Sequence, residues 1–386
     1  MTTETKTTET KRASTRERAE AMFETLAVLH LQDLAASKQR GGPSPEIERE
    51  LAGLQRLSNE EWSDFLGFAE LQRVRLRTLQ LLKKWNAEDA AAPRFAHVDR
   101  LVALAEVEQR DVEDALAALH KVVRALALTG HSPIVIKTLD HWPDIGSDLD
   151  LFISASEGDT VRAMQSELRA EPQPQSWGDR LAHKWNFRIP GLSRLVEIHV
   201  GCLGQTGEQD ALPAHLEATS VTRDIGAFQF RVPAPEEQVM LATLQRMYRH
   251  FYIRLTDLVN LTALVRAGQL NFALLRTSAE RWSIWPGVAT LLKITSDYNQ
   301  RTGVGPLALP DFVVSSACFG QEVTYMGEHF LRVPMLPHGS QLYLKQLVGT
   351  AAAQRFRAAA RLSLLPALAA AAFVNLRITG NDKGIW

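Results

Sequence analysis

The pentapeptide Gly146-Ser147-Asp148-Leu149-Asp150 constrains the fold more than any other part of the chain. It lies within KTLDHWPDIGSDLDLFI, residues 137–153, where the two aspartates alternate with apolar residues. Side chains along a strand alternate faces, so an extended D-x-D puts both carboxylates on one side. Leu149, Leu151 and Ile153 then face a core on the other. Two carboxylates turned the same way repel each other. That repulsion is expected to raise at least one pKa, and a divalent cation is the usual remedy. Just upstream, Pro133-Ile134-Val135-Ile136-Lys137 is a short β-branched run that predicts a partner strand.

A third carboxylate comes from further along. Residues 185–189 and 195–200 read as two strands joined by Pro190-Gly191-Leu192-Ser193, a turn-rich connection. On the second of these, Leu195, Glu197 and His199 share one face, and Val196, Ile198 and Val200 share the other. Residues 159–169 read as a helix, and 228–232 as a further edge strand before Pro233.

Three pieces thus occur in order: Lys137-Thr138, Asp148-Leu149-Asp150-Leu151 and Glu197-Ile198-His199. This succession resembles the nucleotidyltransferase fold of the DNA polymerase beta superfamily. It is most similar to a branch of bacterial nucleotidyltransferase-like proteins, over roughly residues 130–260. The resemblance implies a transferase that moves a nucleoside monophosphate from an NTP to a hydroxyl or phosphate acceptor, with two Mg2+ ions on Asp148, Asp150 and Glu197. It implies that Lys137, Thr138, Gly146 and Ser147 hold phosphate, and that Arg254 and Asp257 lie near the nucleotide. His199 and His250 are candidates for the acceptor side. In the superfamily a G-G or G-S pair usually precedes the D-x-D by about ten residues. Here Lys137-Thr138 stands in that place. Each residue also has a plainer reading: a salt bridge for Lys137, turn chemistry for Gly146-Ser147, a buried hydrogen-bonded histidine for His199, and an intrahelical i,i+3 pair for Arg254 and Asp257.

The rest of the chain reads as helix. Residues 1–16 repeat TTETK and lack an apolar segment, so they are expected to be a disordered tail and not a signal peptide. Residues 17–129 predict an N-terminal helical domain, broken at Arg40-Gly41-Gly42-Pro43. Ser58 and Glu61 make a capping box there, before a helix expected to reach Trp85. Residues 130–235 form the α/β core and residues 236–386 a C-terminal helical domain. The latter opens with one long helix over 236–266, whose apolar stripe runs through Met240, Leu244, Met247, Phe251, Leu255 and Leu258. The fold class expected is α+β, a small mixed nucleotidyltransferase-type sheet flanked by helices.

A net charge of -1 argues against a large nucleic-acid footprint. Two cysteines, with no metal-binding spacing, fit a reducing, cytoplasmic setting. The basic tail from residue 341, with the apolar run 362–376 interrupted by Pro366, offers a membrane-surface contact as an alternative to packing as a terminal helix. P-loop, G-x-G-x-x-G, H-E-x-x-H and G-x-S-x-G signatures are absent. The acceptor is left open among a small molecule, a peptide, a protein and an RNA end. The alternative function is a non-catalytic nucleotide-binding or scaffold protein that retains the fold.

Overall fold

The structure, a computed structural model, describes residues 3–36, 43–87, 98–209 and 211–379. The expected break at residues 40–42 lies outside the described residues. The chain divides into two compact units, neither continuous in sequence. One comprises Met1–Arg110, Val239–Arg276 and Ile284–Leu342, and the other Asp111–Gln238, Thr277–Ser283 and Tyr343–Trp386. This differs from three consecutive domains, because N-terminal and C-terminal helices share a core in the first unit.

The second unit holds the main sheet. Its strands are β1 (Ile134–Val135), β2 (Asp148–Ile153), β3 (Glu171–Pro172), β4 (Lys184–Arg188) and β5 (Leu195–Val200), in the order β1-β2-β5-β4-β3. β2 and β5 run parallel, and all other pairs are antiparallel. A parallel pair requires a crossover, here through the helix Glu157–Leu168. Ser156 caps that helix by accepting from the N–H of Asp159 at 3.1 Å. Leu149, Leu151, Ile153, Val196, Ile198, Val200 and Phe187 are all buried, which fixes the register: a slip of one residue would exchange this apolar face for the charged one. The segment expected to be an edge strand is instead β7 (Phe228–Val232), paired in a separate hairpin with β6 (Val221–Ile225).

The first unit is mostly helical. The helix Thr3–Ala36 begins inside the stretch whose composition suggests a disordered tail. Further along it buries Phe23, Leu26 and Leu29, with Phe23 edge-on to Tyr298 at 5.9 Å. The Ser58–Glu61 capping box forms as expected. The helix behind it stops at Leu71, however, and a second runs Arg75–Ala87, because Arg73 adopts a positive φ of 58°. The long helix expected over 236–266 is likewise divided. Pro235–Gln245 passes into a π turn at Arg246–His250, Phe251 takes φ 51°, and Leu255–Arg266 starts afresh. Between them β8 (Tyr252–Ile253) pairs with β10 (Leu331–Arg332), which also pairs with β9 (Tyr325–Met326). The apolar stripe is continuous in sequence, but the strand pairing interrupts it.

No helix among the described residues is long and apolar enough to cross a membrane. The C-terminal helix Phe356–Thr379 contains Pro366 and buries Leu362, and the side chains beyond residue 368 lie outside those described.

Candidate metal centre

The parallel register of β2 and β5 sets Asp150 beside Glu197 and Phe152 beside His199. Antiparallel β4 adds Asn186 opposite Glu197 and Lys184 opposite His199. Alternation therefore gathers Asp148, Asp150, Glu197, His199 and Lys184 on one face of three adjacent strands. Asp150 and Glu197 are 47 residues apart in sequence, and their side chains are each 16 % exposed.

One oxygen or nitrogen from each of Asp150, Glu197 and His199 falls within 4.8 Å of the others, a spacing that suits a metal ion. The sequence pattern expected Asp148, Asp150 and Glu197. The compact group takes His199 in place of Asp148, whose Oδ2 instead accepts from Ser147 Oγ at 3.1 Å. The reason is positional: Asp148 pairs across the register with Leu195, at the start of both strands, whereas Asp150 and His199 flank Glu197.

Countercharge comes from two lysines. Lys137 Nζ lies 2.8 Å from Asp150 Oδ1 and 3.8 Å from Glu197 Oε1. Lys184 Nζ lies 3.0 Å from both Glu197 Oε2 and Asp179 Oδ1. His199 Nε2 is 3.0 Å from Glu197 Oε1, while its Nδ1 is buried without a partner. The sequence expectation of carboxylates in need of a cation is thus met in part by ammonium groups. Lys184 and Asp179 were not legible as site residues, because their place depends on the β4–β5 register.

The two neighbouring carboxylates respond oppositely to this setting. Burial pushes Asp150 up to about 7; Lys137 opposes the shift and Glu197 adds to it. Burial also acts to raise Glu197, but His199, Lys137 and Lys184 outweigh it and hold that carboxyl well below its ordinary value. Burial brings His199 down to about 4, so its ring is neutral near pH 7. The neutral ring turns Nε2 toward Glu197 Oε1, so Nε2 is the nitrogen that faces the group and Nδ1 points away from it.

Lys137 owes its position to a strained turn. Its φ of 63° and ψ of -51°, with Thr138 N–H bonded to the Ile136 carbonyl at 2.7 Å, form a γ-turn of the uncommon positive-φ kind. Such a backbone costs about 1–3 kcal/mol in a non-glycine residue. The two carboxylates are what the ammonium reaches in return.

Thr138 is not placed to hold phosphate. It is buried; its Oγ1 accepts from Asp150 N–H at 2.7 Å and lies 3.5 Å from the Asp148 carbonyl. The hydroxyl takes the place of a neighbouring strand at the start of β2. Thr138→Val should therefore lower unfolding free energy by about 1–3 kcal/mol, the cost of a buried N–H left unpaired. Urea denaturation checks this, and an unchanged midpoint would show that the β1–β2 pairing alone holds the strand. The Gly146-Ser147 turn is likewise fastened from outside. Arg194 Nε donates to the Gly146 carbonyl at 2.9 Å, and the same guanidinium forms a two-pronged pair with Asp111 at 3.1 and 2.5 Å.

Arg254, Asp257 and His250 belong to the first unit. Asp257 Oδ2 accepts from the Arg254 N–H at 2.8 Å, capping Leu255–Arg266, and pairs with Arg246 Nε at 2.7 Å. The intrahelical Arg254–Asp257 pair expected from i,i+3 spacing is thus a backbone cap. The ion pair of Asp257 is with Arg246. His250 lies 5.3 Å from the Tyr252 ring, centroid to centroid.

No family model, curated protein or solved structure matches this chain.

Proposed function

We propose that the chain is a metal-dependent nucleotidyltransferase whose centre is the Asp150–Glu197–His199 group. The observation that carries this reading is the side-by-side placement of Asp150 and Glu197 on parallel strands, with a neutral histidine at ligand distance. The two carboxylates suit Mg2+ or Mn2+, and the imidazole, which turns Nε2 to the group, favours Mn2+ of the two. Asp150, Glu197 and His199 would hold a first ion, and Asp148, on the same face, would be available to a second. Bound there, a divalent cation supplies charge neutralisation for phosphoryl oxygens.

The chain's own residues do the rest. Glu197 stays ionised and fixes the group, because Lys184 and His199 both bond to it. Lys137 bridges Asp150 and Glu197 when no cation is bound, and its flexible stem lets the ammonium turn to a triphosphate instead. Asp150 is the member that must lose a proton before it can act as a ligand. The acceptor is a hydroxyl or phosphate of unassigned kind. A cytoplasmic location fits the two free cysteines.

A specific observation favours a second reading. Lys137 and Lys184 already neutralise much of the cluster, as in a non-catalytic relative that has exchanged its cations for ammonium groups. Thermal melts with Mg2+ or Mn2+ at pH 8, with and without each of the four NTPs, separate the two. The enzyme reading expects a rise in Tm with the cation and a further rise with at least one NTP. A wild-type protein indifferent to both cations at pH 8 establishes the lysine-neutralised scaffold.

A further inference from the structure

Surface hydrophobes scattered singly are ordinary, but rows of them on consecutive helices mark an interaction surface. The second unit carries two such rows, one on residues 343–352 of the helix Ser340–Ala352 and one on the C-terminal helix Phe356–Thr379. On the first, Leu344 is 55 % exposed and Val348, one turn on, 65 %. Gln346 and Thr350 lie on the opposite face and are buried, and a Cβ on Gly349 would come within 2.8 Å of Ser283 Oγ. This helix thus turns polar side chains inward and apolar ones outward, the reverse of the usual amphipathic arrangement. On the second, Phe356 is 69 % and Leu364 50 % exposed, with Ala360 exposed between them. Ala358 and Leu362 are buried on its other face, and the Tyr343 hydroxyl donates to the Leu362 carbonyl at 2.9 Å, fastening one helix to the other.

Both rows lie in a stretch of one charge sign. From His329 to Asn381 the sequence has no aspartate or glutamate. Lys345 follows Leu344 and Arg357 follows Phe356, so each row is flanked by an exposed base. Arg361, one turn beyond Arg357, donates to the Gly207 carbonyl at 2.7 Å, a neutral acceptor that leaves its charge in place. A second copy of the chain seated on these rows would set like charges against each other. An anionic lipid surface instead offers apolar depth for the side chains and negative charge for the bases. Sequence alone set surface contact against packing as a terminal helix. The buried inner faces and exposed outer rows make the two compatible.

We propose that the exposed rows of these two helices dock the protein on an anionic lipid surface. Phe356 and Leu364 from one helix, and Leu344 and Val348 from the other, enter the boundary between headgroups and acyl chains. Lys345 and Arg357 meet the lipid phosphates beside them. The helices lie on the bilayer and do not cross it, in keeping with their length and composition. This assignment rests on the burial pattern and charge of the second unit and does not depend on the cation site.

Co-sedimentation of the full-length protein with vesicles tests it. The vesicles are phosphatidylcholine alone or with about one-third phosphatidylglycerol, a strongly negative surface. Wild type should bind the anionic vesicles, bind the neutral ones at least tenfold more weakly, and lose affinity as salt is raised. The double variant Val348→Gln, Phe356→Gln alters only exposed side chains. It should keep the wild-type Tm and bind anionic vesicles at least tenfold more weakly. Lys345→Gln and Arg357→Gln should each weaken binding about fivefold. A wild type that ignores anionic vesicles, or binds neutral ones equally well, overturns the proposal, as does a double variant with undiminished binding. Light scattering that shows a wild-type dimer and a monomeric double variant assigns the rows to a second copy instead. Polyglutamate bound as tightly as the vesicles, and lost in the same variant, assigns them to an acidic protein surface; either result also overturns the proposal.

Discussion

Glu197→Gln should destabilise the cation-free protein by about 3 kcal/mol, whereas Asp150→Asn should leave it as stable or more so at pH 8. The two carboxylates are neighbours in register, yet their settings are opposite. Glu197 is the hub of three charged or polar contacts: Lys184 at 3.0 Å, His199 at 3.0 Å and Lys137 at 3.8 Å. Removing its charge leaves buried ammonium groups with less compensation, and breaking a buried pair costs about 3–5 kcal/mol. The lower figure applies because Asp179 still holds Lys184 and Asp150 still holds Lys137. Asp150 is already reluctant to ionise, and an asparagine oxygen still accepts from Lys137.

The pH dependence gives this contrast its sign. The folded pKa of Asp150 is raised from 3.8 to about 7, so the folded state binds its proton more tightly than the unfolded state does. Its contribution is most favourable below the unfolded value and is lost as pH rises toward 7. His199 runs the other way: its folded pKa is about 4 against 6.5. Its contribution is therefore complete above 6.5 and lost as pH falls toward 4. Between these limits the two slopes oppose each other in the wild type. Asp150→Asn removes one of them. The stability difference between mutant and wild type should be near zero at pH 4 and grow to a few kcal/mol by pH 7. Urea unfolding in EDTA at pH 4, 5.5, 7 and 8 measures it, and a difference independent of pH would show that Asp150 is ionised throughout.

The second large effect concerns cation affinity. A proton and a divalent ion compete for Asp150, so the apparent Mn2+ affinity should rise about tenfold per pH unit below 7 and level off above it. Calorimetric titration across pH 5.5–8.5 checks the slope. Asp150→Asn should abolish this dependence together with most of the affinity. It should also lower any nucleotidyl transfer about 10^3-fold, since several kcal/mol of transition-state charge stabilisation go with the ion. A flat affinity profile in the wild type would place the cation on groups other than Asp150.

Much of the site was written in local pattern. Period-two alternation in DLDLFI and LVEIHV identified two strands, each with an apolar reverse face and acids on the obverse. What the pattern lacked was register. Parallel pairing sets Asp150 against Glu197, and antiparallel pairing sets Lys184 against His199; both are contacts between distant segments. Lys184 fell one residue before the strand as read from sequence, so its role was invisible. From sequence Thr138 offers a hydroxyl for phosphate, because nothing local shows that it is buried under the start of β2. The helix over 236–266 failed for the same kind of reason. Its apolar stripe continues through Phe251, but Tyr252 and Ile253 are recruited into a sheet by residues 331 and 332, about 80 positions away.

The order of the main sheet has a consequence for how the protein comes into being. β5 is the last of the five strands to be synthesised and the middle one in space. β4 pairs with it across a short turn, a nearby and rapid contact, whereas β2 must wait for the whole crossover to be made and closed. A nascent chain that has not yet emerged past residue 196 carries Asp148 and Asp150 without Glu197 or His199. The Asp150–Glu197–His199 group is thus completed late, when β5 takes its place between β2 and β4. A cation that binds only the finished cluster favours the finished sheet by mass action. If the centre takes a cation as proposed, metal supply during synthesis would favour the finished sheet, apart from any part the metal plays in chemistry.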